Sequence, residues 1–274
     1  MTTEIFYFSG TENSFVVAKD LSKKIHAKLI PVASMIDQDS INTDADTIGF
    51  VFPIYDFKPP GLIIEFVKKL ENINSKYIFA VCTYGIAPLK VIKFFDQLMQ
   101  SNGGKLSSGF AVKMPHNGLG SSSFSQAQHE KMFKNWKTKL EEISEYIIAG
   151  KEGKLETSNI FSSLILSGAL IKRIPFLVKL LKQVIMKGWK SLAFISNEKC
   201  DGCGICKKIC PVDNIDIVDD KPSWSDHCEG CFACFHWCPK EAIQFGNTNM
   251  NIKQYRHPEA KLVDIMKQKG IGNY

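Results

Sequence analysis

The 274-residue sequence contains no apolar run that could cross a bilayer. In its most apolar region the longest stretch free of charge and proline runs from Ser158 to Ile171, short of the roughly 20 residues that a helical span needs. The opening Met1-Thr2-Thr3-Glu4-Ile5-Phe6 lacks the basic region, apolar core and small-residue cleavage site of a secretory signal, so a cytoplasmic address is expected. Cysteine is almost missing from the first 199 residues, where Cys82 stands alone. It lies in Ile78-Phe79-Ala80-Val81-Cys82, an apolar strand, and reads as a buried packing residue. No nucleophile triad or carboxylate pair stands out. Nor is the net charge of +6 the uniform basic surface of a nucleic-acid binder. It resolves into +1 over residues 1–150, +6 over 151–190, −4 over 191–250 and +3 over 251–274, so one connector holds most of the excess.

What is present suggests two domains, as the length allows. The first 150 residues alternate strand and helix signals. Strands are expected at Glu4–Phe8, Lys28–Val32, Thr47–Phe52, Tyr77–Thr83 and Gly109–Val112. Helices are expected from Ser14 to His26, from Pro59-Pro60 through Leu70, from Pro88 to Met99, and over Gln126–Ile148. This predicts an α/β domain with a doubly wound parallel five-stranded sheet of order 2-1-3-4-5. Residues 151–190 form an apolar and basic connector, with no acidic residue between Glu156 and Glu198 and a helix break at Pro175. Residues 191–250 form a second, small α+β domain, and 251–274 a tail.

The second domain carries the other eight cysteines. Cys200-x₂-Cys203-x₂-Cys206-x₃-Cys210-Pro211 recurs 28 residues later as Cys228-x₂-Cys231-x₂-Cys234-x₃-Cys238-Pro239. Zinc also uses paired C-x₂-C units but has no need of a third and fourth cysteine before proline, twice over. Outside a secreted context, thiols this crowded read as cluster ligands, not disulfides. Three thiolates in a tight loop suit three irons of one cubane. The spacing resembles that of the bacterial-type ferredoxins with two [4Fe-4S] clusters. The resemblance implies crossed ligation: one cluster on Cys200, Cys203, Cys206 and Cys238, the other on Cys228, Cys231, Cys234 and Cys210. Each half should end in a short strand, at Asn214–Val218 and Glu241–Phe245.

Between the first strand and first helix stands Ser9-Gly10-Thr11-Glu12-Asn13-Ser14, placed to aim backbone N–H groups at an anion. It resembles the phosphate loop of the flavodoxin family, with Ser9, Gly10, Thr11, Asn13 and Ser14 as the matching positions. The resemblance implies FMN, its ring held between Pro53-Ile54-Tyr55-Asp56-Phe57 and Thr83-Tyr84-Gly85, with Asn117 closing the pocket. Glu12 stands where that family usually has glycine. A carboxylate there is repulsive to a phosphate unless it points to solvent.

Nearly the whole chain, including Tyr255-Arg256-His257-Pro258-Glu259, resembles the flavodoxin–ferredoxin fusions called EFR1 family ferrodoxins. That resemblance implies electron transfer between two [4Fe-4S] clusters, FMN and external redox partner proteins such as a ferredoxin, a reductase or an oxidoreductase complex. The alternative is an FMN-dependent oxidoreductase acting on a small molecule such as a quinone and fed by the clusters. No nucleic-acid partner is expected. A second copy of the chain is a candidate partner. The basic segment Ile160–Lys190 reads first as an interdomain helix and second as a membrane-surface element.

Overall fold

The computed structural model describes residues 2–118, 125–158, 194–246 and 253–271; the connector readings at 159–190 lie outside them. The first unit runs β1 (Thr3–Tyr7), α1 (Asn13–Lys24), β2 (Lys28–Pro31), β3 (Thr47–Pro53), α2 (Gly61–Lys68), β4 (Tyr77–Tyr84), α3 (Val91–Ser101), β5 (Ser108–Lys113), α4 (Gln126–Ile148) and β6 (Lys154–Leu155). All neighbouring strands pair in parallel. The order is β2-β1-β3-β4-β5-β6, the flavodoxin-like winding. The sheet therefore has six strands instead of the five expected. The extra one is a two-residue edge, Lys154–Leu155, paired with Ser108–Gly109.

Side-chain alternation along the strands feeds two cores. Phe6, Phe50 and Phe52 join Phe66 of α2 and Phe95 of α3 on one face. Ile5, Val51 and Val81 join Val17 of α1 and Trp136, Leu140 and Ile143 of α4 on the other. Every residue of β3 is buried, as a strand covered on both faces must be. Cys82 is fully buried, and burial pushes its thiol well above the usual range. Helix α4 opens on a capping box, in which the Ser125 hydroxyl accepts from Gln128 N and the Gln128 side chain accepts from Ser125 N.

The cysteine-rich unit consists of β7 (Phe194–Ser196), α5 (Ile205–Lys208), β8 (Ile215–Val218), β9 (Lys221–Trp224), α6 (Ala233–His236) and β10 (Ile243–Phe245). The two expected strands exist, each with an antiparallel partner that sequence reasoning did not foresee: β8 with β9, and β10 with β7. The 28-residue repeat is visible in the backbone. Left-handed conformations recur at Gly202 and Gly230, at Gly204 and Phe232, and at Asp213 and Glu241. A final helix, α7 (Leu262–Lys267), follows in the tail.

The two units share a core. Ile209, Cys231, Ala233 and Trp237 of the cysteine-rich unit, and Ile265 of α7, belong to the same buried cluster as Phe8 and Phe52. No described helix is long and apolar enough to cross a membrane.

In mid-β3, a Cβ on Gly49 would lie 2.1 Å from the ring of Phe79, itself fully buried. Gly49→Ala should therefore cost about 1–3 kcal/mol of stability through overpacking. A denaturant midpoint equal to that of the parent protein would contradict this packing.

Candidate iron–sulfur and flavin sites

The eight cysteines fall into two sets of four. Cys200, Cys203, Cys206 and Cys238 rim one cavity of about 350 Å³. Cys210, Cys228, Cys231 and Cys234 rim a second of about 310 Å³. The last cysteine of each motif thus lines the cavity of the other motif. Short helices α5 and α6 present the middle cysteines, Cys206 and Cys234. The turns at Pro211 and Pro239 carry Cys210 and Cys238 across. Among the described residues no three His, Cys, Asp or Glu side chains close around a single-ion point; each set rims a cavity instead.

Backbone N–H groups are aimed at the sulfurs in a repeating way. Asn214 N donates to Cys210 Sγ at 3.2 Å, and Ala242 N to Cys238 Sγ at 3.4 Å. Both donors lie four residues after their cysteine. Gly230 N donates to Cys228 Sγ at 3.4 Å. Burial pushes the Cys206 thiol up to about 11, and those of Cys231 and Cys234 well above the usual range. Thiolates in such walls are tolerable when a cationic metal compensates them.

The second cavity has two further donors. Asn214 is 1 % exposed and its Nδ2 has no hydrogen-bond partner. The buried Trp224 Nε1 likewise closes no hydrogen bond to a protein atom, although it lies beside Cys234 and counters part of the upward push of burial on that thiol. Both residues line this cavity. Unpaired buried N–H groups are costly unless an acceptor completes them, and cluster sulfur is such an acceptor. The residues of each cavity fit an iron–sulfur cluster held by its cysteines.

The flavin loop is in a different condition. Ser9, Thr11, Asn13 and Ser14 gather at the carboxyl end of β1, each at most 5 % exposed, and Glu12 is fully buried. Several of their polar groups, the Ser9 N–H and the Ser9, Gly10 and Thr11 carbonyls among them, are engaged. Ser9 N donates to Gln268 Oε1 at 3.0 Å, and Gln268 Nε2 donates to Ser9 O at 2.9 Å and to Glu12 Oε1 at 2.6 Å. Trp237 Nε1 donates to Gly10 O at 3.1 Å, and His257 N to Thr11 O at 3.0 Å. Tyr255 OH donates to Asn13 Oδ1 at 2.7 Å, Asn13 Nδ2 donates to Pro115 O, and Ser14 Oγ pairs with Thr83 Oγ1. A Cβ on Gly10 would stand 2.4 Å from the Cys231 carbonyl oxygen and 2.9 Å from Tyr55 OH.

The ring-flanking loops are only partly drawn in. Ile54 N donates to Thr83 O, which joins the two loops next to Pro53. Tyr55 is half-buried, while Asp56 and Phe57 form a turn with positive φ at both. Phe57 is 64 % exposed. Tyr84 and Gly85 are half-buried, with Gly85 against His116. Asn117 joins the cysteine-rich unit to the loop: its Nδ2 donates to Thr11 Oγ1, and its carbonyl accepts from His236 Nε2 at 2.7 Å. His236 is fully buried. Burial holds it down at about 4, and Tyr255 N donates to its Nδ1.

The Glu12 side chain is turned away from solvent. Its carboxyl points inward, and burial followed by the neighbouring Asp264 pushes it well above the usual range. As arranged here, the loop residues do not fit an FMN phosphate. Sequence reasoning missed Gln268, Trp237, Tyr255 and His257. It also missed Glu229, whose carboxylate lies beside Gly61 at the start of α2.

Residues 192–250 match the model of the 4Fe-4S dicluster domain family. No curated protein matches the chain. Among solved structures, the two-electron-reduced flavodoxin of Megasphaera elsdenii is 17 % identical, covering 41 % of this chain and 85 % of its own, at TM-score 0.33. The FMN-dependent NADH-azoreductase of Bacillus anthracis in complex with FMN is 10 % identical, covering 54 % and 99 %, at 0.39. Rubredoxin oxygen:oxidoreductase of Desulfovibrio gigas is 16 % identical, covering 54 % and 36 %, at 0.35. All three scores lie below 0.5, so the fold assignment rests on this chain's own strand order.

An N–H donor to cluster sulfur favours the more negative, reduced state and so raises the potential. Trp224→Phe, which removes the indole N–H while keeping a ring, should lower one of two midpoint potentials in an EPR-monitored titration. Two unmoved midpoints at full iron content would show that the indole does not face a cluster.

Proposed function

We propose that the chain is an electron-transfer protein whose redox centres are two [4Fe-4S] clusters. The observation that carries this is the partition of eight cysteines into two four-cysteine cavities with the last member of each motif exchanged. The 4Fe-4S dicluster match at residues 192–250 supports it. Each cluster, when bound, would supply one-electron transfer. The chain's residues do the rest. The cysteines hold the iron, Asn214 N, Ala242 N and Gly230 N donate to thiolate sulfur, and Phe194, Phe232, Phe235 and Ile243 keep water from the cavities. External redox proteins are the proposed partners. The exposed Cys203 and Cys228 mark the rims from which such a partner is reached.

In its fuller form, suggested by the resemblance to EFR1 family ferrodoxins, this reading adds FMN as a third centre. The small-molecule oxidoreductase alternative makes that FMN the reacting group. Both need loop 9–14 free to take a phosphate, and that loop is engaged. The two-cluster carrier is therefore the reading the geometry supports best.

Anaerobic purification should yield about eight irons and eight sulfides per chain, with zinc absent. Because ligation is crossed, Cys206→Ala combined with Cys238→Ala removes two ligands of one cluster and none of the other, so about four irons per chain should remain. Loss of both clusters from this variant would argue against exchange of the last cysteine.

A further inference from the structure

The feature left unexplained is a loop built like an anion site and filled with protein. We infer that loop Ser9–Ser14 is the dock for the chain's own C-terminal part, with the Gln268 carboxamide as its ligand in place of a flavin phosphate. On this inference the protein carries no FMN there.

Six hydrogen bonds tie the loop to residues beyond 230. Three come from Gln268, and one each from Trp237, Tyr255 and His257. The carboxamide reads both sides of the Ser9 peptide, accepting from its N–H and donating to its C=O. Gln268 is itself 3 % exposed. A phosphate offers acceptors only, so it cannot satisfy the Ser9 and Gly10 carbonyls as Gln268 and Trp237 do. The Cys231 carbonyl, packed on Gly10, adds another acceptor facing the loop.

Glu12 makes the exchange specific. It holds a left-handed conformation, φ 68°, at the N-cap of α1, where a side chain is strained and glycine would not be. Its carboxyl takes a hydrogen bond from Gln268 inside the loop, and Asp264 of α7 lies close enough to push it toward its neutral form. A dianion entering here would meet the Glu12 carboxyl and the Cys231 carbonyl. The tail that seals the loop is held independently. His257 packs edge-on against Phe133 at 4.9 Å, Arg256 lies over the Trp237 ring at 5.5 Å, and Glu259 pairs with Lys137 at 3.0 Å.

The inference stands apart from the cluster reading, and the experiment separates them. Full-length protein with its clusters reconstituted is titrated with FMN, following flavin fluorescence and the flavin retained after desalting; iron is measured on the same samples. The parent protein should neither quench nor retain FMN. Glu12→Gly combined with Gln268→Ala, at unchanged iron content, should retain it. One FMN per chain on the parent protein overturns the inference, whatever the variant does. No FMN on either protein also overturns it, because Glu12 and Gln268 would not be what keeps the flavin out. Loss of iron from the parent protein would count against the cluster reading alone.

Discussion

The arrangement depends on one close approach: the backbone of the cysteine-rich unit at Cys231 lies directly on the backbone at Gly10. Only a residue without a Cβ allows it, since any side chain would meet the Cys231 carbonyl at 2.4 Å. From that contact the rest is placed. Trp237 reaches the Gly10 carbonyl, Glu229 reaches Gly61 at the start of α2, and the aromatic core of the sheet extends into Ile209, Ala233 and Trp237. In open α/β sheets the carboxyl ends of the strands are where ligands bind. In this chain the cysteine-rich unit and the tail occupy that place.

The α/β unit was legible because its signals are local. β3 and β4 are apolar runs of the right length, and Gln126–Ile148 matches helix α4 residue for residue. β6 was not legible: two residues, Lys154–Leu155, have no periodicity and exist only because β5 offers an edge. β9 was hidden for another reason. Lys221-Pro222-Ser223-Trp224 contains a proline that argues against a strand, yet an edge position tolerates it.

The cysteine spacing was legible as a cluster motif, and residues 192–250 match a 4Fe-4S dicluster domain. What the spacing does not contain is the difference between the cavities. Asn214 and Trp224 stand outside the motifs, and only folding brings their N–H groups to one cavity wall. The flavin loop shows the opposite case. Its residues were found where they were expected, while their occupant was invisible, because a glutamine some 250 positions away leaves no mark in the local pattern. The one warning was Glu12 in place of glycine.

The pairing of β7 with β10 has a consequence of its own. Phe194 faces Phe245 and Ser196 faces Ile243, so the cysteine-rich unit begins and ends at the same spot. A cassette whose ends meet can be grafted into a foreign loop without stretching it. Its eight cysteines travel with it, whereas the grip on Gly10 and Ser9 stays behind with this host.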